Sequence, residues 1–209
     1  MNLSEPLEGL MPPVEAAVIR VLSRTDAGMS GRQVHAVAGV GSTSGVHRAL
    51  TRLVRTGLVR VESRPPALIY RANRAHVLWK AVDSALNARD DAINKIRLFF
   101  VDEVPEEVPV DWRVTATLYG SVARRTSTSQ SDVDVLVVFP DRFDVEVRAD
   151  LLLTLAERIE ELTGNTAQVN AMDRSEFLAR AADGDVFLAN VLRDGIHLFG
   201  PQPDTWAAA

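Results

Sequence analysis

The spacing of apolar residues changes along the chain and marks out its elements in order. From Val14, the positions Ala17, Val18, Val21 and Leu22 recur at three and four, which predicts a helix ending near Asp26-Ala27-Gly28. Ser30 is placed to cap a second short helix through Val34, Val37 and Ala38, closed by Gly39. Ser42 or Ser44 starts a third, with Val46, Leu50, Leu53 and Val54 on its inner side and Gly57 as its stop. The period then drops to two. Leu58-Val59-Arg60-Val61 and Ala67-Leu68-Ile69-Tyr70 predict strands joined by a turn at Arg64-Pro65-Pro66. Residues 1–13, with Pro6, Pro12 and Pro13, read as a loose lead-in, and residues 74–102 as one long helix.

Beyond an acidic, proline-bearing stretch at 102–109, the pattern becomes strand, short helix or loop, strand, helix, strand. The strands fall at 113–119, 133–139 and 166–172, and an amphipathic helix at 145–162 is ended by Gly164. Helices at 175–182 and 186–193 and a short strand at 195–199 follow. The predicted fold class is α+β, with a mixed sheet in the C-terminal part.

Three short helices followed by a hairpin is the order of a winged helix-turn-helix, and Ala49 to Val59 resembles the corresponding stretch of bacterial winged-helix transcription regulators. The resemblance implies a third helix lying in the major groove and a hairpin acting as the wing. The residues it presents to double-stranded DNA would be Thr43, Ser44, His47, Arg48, Thr51, Arg52 and Arg55, with Arg60 and Arg64 on the wing. Arg52 and Arg55 could equally meet phosphate, which positions without specifying. A winged helix used only for protein contacts, its arginines a solvated face, is the plainer alternative.

Charge sharpens that choice. The net charge of −5 hides an asymmetry: residues 1–80 hold 11 Lys+Arg against 5 Asp+Glu, and the remainder 12 against 23. From Arg20 to Arg74 there are ten arginines and two acids, Asp26 and Glu62, which points this half to nucleic acid. With no cysteine there is no disulfide, thiolate metal site or cysteine nucleophile, and the four scattered histidines suggest no zinc cluster. No apolar run approaches a membrane span and no signal pattern opens the chain, so no membrane partner and a cytoplasmic location are expected.

The richest stretch is Leu118-Tyr119-Gly120-Ser121-Val122-Ala123-Arg124-Arg125, a polar run, then Ser131-Asp132-Val133-Asp134. Asp132 and Asp134 are two apart, so on a strand they project from one face. Paired carboxylates opposite a Gly-Ser turn can hold a divalent metal that a nucleotide's phosphates also bind. Gly120 lets backbone approach phosphate, and Ser121 can open a helix whose first N–H groups attract anions. The alternative is a solvated turn before an ordinary strand capped by Asp.

The combined spacing of Gly120, Ser121, Ala123, Arg124, Ser131, Asp132 and Asp134 resembles the nucleotidyltransferase superfamily related to DNA polymerase beta. The nearest likeness is to its small bacterial and archaeal members, the minimal nucleotidyltransferases. The resemblance implies Asp132 and Asp134 as catalytic metal ligands for Mg2+ (or Mn2+). It further implies Gly120, Ser121 and Arg124 as nucleotide-binding residues, and a nucleoside triphosphate as ligand or substrate. Two departures stand out. Arg125 occupies a position where such proteins usually have Gly. Asn170, in the strand 166–172, aligns with a third carboxylate that completes the metal site, so it is assigned to nucleotide binding instead. An amide cannot accept a proton as a base.

The expected organisation is a winged helix-turn-helix at 1–74, a connector helix and linker at 75–109, and a nucleotidyltransferase-like domain at 110–200. A homodimer is expected, with the 74–102 helix supplying shared apolar surface. Three functions remain open: a DNA-binding regulator whose second domain binds nucleotide with magnesium; an active transferase modifying a protein, RNA or small molecule in a toxin–antitoxin setting; or a catalytically dead sensor or scaffold.

Overall fold

Ser30 caps helix α2 (Gly31–Ala38) through a reciprocal box with Gln33, and Ser42, rather than Ser44, caps α3 (Thr43–Arg55) by accepting the Gly45 amide at 3.1 Å. With α1 (Pro13–Ser23), these helices bury Val18, Ile19, Leu22, Val34, Val46 and Leu50 in one core. Strands β2 (Val59–Arg64) and β3 (Ala67–Ala72) form the expected hairpin. A two-residue strand β1 (Met29–Ser30) pairs with β3, giving the sheet order β1-β3-β2. The structure, a computed structural model, describes residues 1–104 and 113–202. The elements above belong to the smaller of two compact units, Glu5–Ala88; the larger comprises Met1–Ser4 and Arg89–Ala209.

Helix α4 (Trp79–Glu103) carries the division between the units within it. It starts at Trp79 instead of 74 because a turn intervenes: the His76 amide bonds Asn73 O at 3.0 Å, and His76 Nδ1 accepts the Leu78 amide at 3.1 Å. Of the stretch at 102–109 expected to separate two domains, 105–109 lies outside the described residues.

The larger unit is built on a mixed four-stranded sheet in the order β6-β5-β4-β7. Here β4 is Thr115–Tyr119, β5 Val133–Phe139, β6 Ala167–Asp173 and β7 Ile196–Phe199. Strand β5 pairs antiparallel with β4 and parallel with β6. It is central and covered on both faces, which explains its almost unbroken apolar run. On one face Val133, Val135, Val137 and Phe139 join Ile96 and Phe100 of α4 and Leu155 and Ile159 of α6 (Val145–Thr163). On the other, Leu136, Val138 and Met172 pack with Phe177 of α7 (Arg174–Ala182) and Leu188 and Val191 of α8 (Val186–Asp194). Among the described residues no helix is long and apolar enough to cross a membrane.

The N-terminal lead-in is not loose. Leu3 and Leu7 are each 2% exposed, and they enter different cores: Leu3 that of the larger unit, Leu7 that of the smaller. The prolines drew the expectation away from two apolar anchors four residues apart.

Within the smaller unit Glu15 of α1 is buried, and its carboxylate is ion-paired with Arg52 of α3. Removing one partner of such a pair strands a charge in a low-dielectric site, which costs more than the pair itself contributes. Because Arg52 itself is half exposed, Arg52→Ala is expected to destabilise this unit by about 1–3 kcal/mol, the cost of leaving a buried acceptor unpaired. Adding Glu15→Gln should recover most of that loss, as read by urea denaturation.

Candidate active site

The outward end of one sheet face carries the polar residues. Down that face run Tyr119 on β4, Asp134 on β5, and Gln168 and Asn170 on β6, with Tyr119 opposite Asp134 and Asp134 opposite Gln168. Farther along, the same face turns apolar at Leu136, Val138 and Met172, where α7 and α8 cover it. Asp132 sits one residue before β5 and is exposed. Asp132 lies near enough for its charge to act on Asp134.

Gly120 opens α5 (Gly120–Ala123) at φ +73°, and a Cβ there would overlap the carboxylate of Asp134. Backbone conformation and space both require glycine at this position. Helix α5 is a single turn with no side-chain cap from Tyr119, so an anion beside it would meet uncapped amides rather than a developed macrodipole. Ser121 is half-buried, and its carbonyl accepts the Thr126 amide at 2.9 Å.

Burial raises the Asp134 carboxyl above its ordinary pKa, the charge of Asp132 raises it further, and Arg124 works in the opposite direction. Arg124 also lies near enough to Asp194, at the end of α8, to lower that carboxyl after the larger effect of Arg193. Asp194 is held by Arg193 through two contacts of 2.8 Å.

The Asn170 amide donates to Tyr119 Oη at 2.6 Å. Burial raises the Tyr119 hydroxyl's pKa, against the effect of the Asn170 hydrogen bond and with that of Asp134. The Tyr119 ring meets Phe187 edge-on at 5.3 Å. Asp173, the nearest acid on β6, takes part in the opposite face: its carboxylate accepts from Arg148 Nη1 of α6 at 2.6 Å. Among the described residues there is no group of three His, Cys, Asp or Glu side chains that could hold a metal.

Two anchors fix the loop between Gly120 and Asp132. The buried Arg89 guanidinium donates to Val122 O at 3.1 and 2.9 Å and to Ala123 O at 3.2 Å, satisfying carbonyls at the end of α5. Ser127, expected as part of a flexible loop over the pocket, is only 6% exposed and bonds to Ser4. Arg125 has φ +58°, a conformation glycine adopts without strain. In this chain the arginine reaches Asp90 at 3.3 Å. Tyr119, Arg89, Ser4 and Glu15 were not singled out from sequence. Only Glu15, a charge inside an apolar helical run, carried a readable signal.

In the smaller unit, Thr43, Ser44, His47, Arg48, Thr51, Arg52 and Arg55 are all exposed along α3, opposite buried Val46, Ala49, Leu50 and Leu53. Ser44 Oγ bonds Ser42 Oγ at 3.0 Å, and Thr51 donates to His47 O at 2.9 Å. Arg52 is engaged by Glu15. Arg60 and Arg64 are exposed on β2, with Arg64 paired to Glu62 at 3.0 Å. The hydrogen bonds of Arg64 and Arg71 lower the Glu62 carboxyl's pKa.

Residues 94–174 match the family model described as "Nucleotidyltransferase domain". That match spans α5, Asp132, Asp134 and β6. The matched stretch runs from Asn94 within α4 to Arg174 at the start of α7. No curated protein sequence matches the chain. Among solved structures, the chain is similar to a toxin–antitoxin complex crystallised with AMP-PNP, at 22% identity and TM-score 0.35, over 56% of this chain and 81% of that one. It is similar to a tri-AMPylated Shewanella oneidensis HEPN toxin in complex with MNT antitoxin, at 20% identity and TM-score 0.32, over 56% and 76%. A third similarity is to TrmBL2, an archaeal chromatin protein, at 17% identity and TM-score 0.31, over 81% and 66%.

A carboxyl whose pKa is raised by folding holds its proton more tightly in the folded chain. Its stabilising contribution is therefore present below the unfolded pKa and is lost as pH rises through the folded one. Asp134→Asn should raise the thermal midpoint at neutral pH, and this gain should vanish below the ordinary carboxylate range. Gly120→Ala should cost about 2 kcal/mol or more, because strain and overlap add. Arg125→Gly should stay within about 1 kcal/mol of the parent, since relieved strain offsets a weak exposed ion pair. Urea titration distinguishes the two.

Proposed function

We propose that the larger unit binds a nucleoside triphosphate with Mg2+ or Mn2+ at Asp132 and Asp134, and that the smaller unit is a winged helix-turn-helix that binds double-stranded DNA. The protein on this reading is a DNA-binding regulator that carries a nucleotide-binding transferase domain. The observation that carries it is the pressing of the Asp134 carboxylate against Gly120 beside a second carboxylate, within the segment matched to a nucleotidyltransferase domain.

The donor set fits a metal. Asp134 is a partly buried carboxyl opposed chiefly by burial and the charge of Asp132, an arrangement a divalent cation relieves. Two carboxylates with phosphate oxygens and water suffice for magnesium. The ion, when bound, neutralises the phosphate charge. Around it Gly120, Ser121 and Arg124 border the phosphates, Arg124 supplying the cation of the site. Asn170 cannot take a proton from an attacking hydroxyl, and Asp173 is engaged on the other face by Arg148. Nucleotide binding with slow transfer is the expected behaviour. An active transferase is the second reading, and the family match favours it.

The DNA reading rests on the exposed α3 face and the excess of arginine around it. A homodimer is part of the proposal, supported by Leu98 and Val101, which α4 leaves 57% and 47% exposed. A monomer mass at micromolar concentration with and without duplex would count against it.

Calorimetric titration with Mg·ATP should show binding that Asp132→Ala/Asp134→Ala abolishes. Asn170→Asp should raise transfer of radiolabelled AMP; rapid wild-type transfer indifferent to that change would favour the second reading. Arg48→Ala should weaken duplex binding by about 1–3 kcal/mol if the guanidinium is bidentate to a base. Unchanged binding by the double aspartate variant would remove the site.

A further inference from the structure

The two anchors of the 120–132 loop have a topological relation that the nucleotide-binding reading does not use. Ser4 Oγ accepts the Ser127 amide at 2.8 Å and shares a 2.7 Å hydrogen bond with Ser127 Oγ. Leu3, 2% exposed, ties the same segment into the core of the larger unit, and buried Asn165 bonds both Met1 O at 3.0 Å and Ser131 O at 2.8 Å. Ser131 immediately precedes Asp132. At the other end of the loop, Arg89 holds Val122 O and Ala123 O, the last carbonyls of the turn that Gly120 opens.

Ser4 is the last residue of the larger unit before the chain leaves it, and Arg89 the first after it returns. The whole of Glu5–Ala88 is inserted between these two residues. Any ligand that shifts or orders the smaller unit acts on a chain whose next residue, at either end, grips the loop bearing the candidate metal ligands. The bonds from Ser4 and Arg89 thus fall on the loop between Gly120 and Asp132, close to each of its ends.

We propose that Ser4 and Arg89 are positioning residues for the Gly120–Asp132 loop and that, through them, duplex bound by the smaller unit and nucleotide bound by the larger unit are energetically linked. This rests on the function proposed above and names its regulation. Linkage is reciprocal: whatever factor duplex applies to nucleotide affinity, nucleotide applies to duplex affinity.

The test uses the full chain, a random-sequence duplex at low salt, and Mg·ATP. Nucleotide affinity is measured by calorimetry with and without saturating duplex, and duplex affinity by fluorescence anisotropy with and without saturating Mg·ATP. The expected result is a change of about fivefold or more, equal in both directions. Ser4→Ala and Arg89→Lys should each reduce that factor toward one while leaving duplex affinity in the absence of nucleotide unchanged. Arg89→Lys keeps the buried positive charge, and Ser4→Ala removes only a hydroxyl, so both variants test the linkage in a folded chain; thermal midpoints confirm it. Two bindings that are each present but independent would overturn the linkage and leave the proposed function standing. Undiminished coupling in both variants would overturn the role of these anchors. Failure of the wild-type chain to bind either ligand would overturn both proposals together.

Discussion

The absence of a single carbon atom at position 120 is the constraint on which the candidate site depends. Asp134 rises from the central strand directly against that residue, and only a glycine leaves room for its carboxylate. The same residue turns the chain at positive φ from β4 into a one-turn helix. Space for the acid and direction for the chain thus come from one substitution-intolerant position. A larger side chain would displace the Asp134 carboxylate and strain the turn.

Holding two carboxylates together works against stability, and the surrounding structure is built to resist it. Arg124 offers partial compensation from one side. Arg89, buried and fixed to backbone carbonyls, keeps the turn from relaxing. Sheet pairing on both sides of β5 prevents Asp134 from withdrawing with its strand. Sites that bind cations are often stored in this way, as repulsion that the ligand relieves. On the neighbouring strand the Asn170 amide turns toward Tyr119.

Much of this was legible in the sequence, because it depended on local period and on fixed spacing. The span Val133–Phe139 follows from an apolar run long enough for a buried strand, and the three helices of the smaller unit from their apolar spacing and caps. What could not be read were partnerships between distant positions. Nothing near Arg52 announces Glu15, thirty-seven residues earlier. The bond between Asn170 and Tyr119 spans a sequence separation of 51. The engagement of Asp173 by Arg148 depends on which strand face meets α6, a tertiary fact. Prolines were overweighted at the start of the chain, where Leu3 and Leu7 are buried despite them.

The split of the larger unit across the chain has a consequence for the order in which the protein is made. Met1–Ser4 are translated before the strands they pack against, and the bond from Ser4 to Ser127 closes over 123 residues of sequence. The intervening Glu5–Ala88 contains its own core and can complete it as soon as it emerges. Contacts of such long sequence separation form late and slowly. Vectorial synthesis therefore delivers the smaller unit first and leaves Leu3 without its core partners, waiting for a sheet that has yet to be translated.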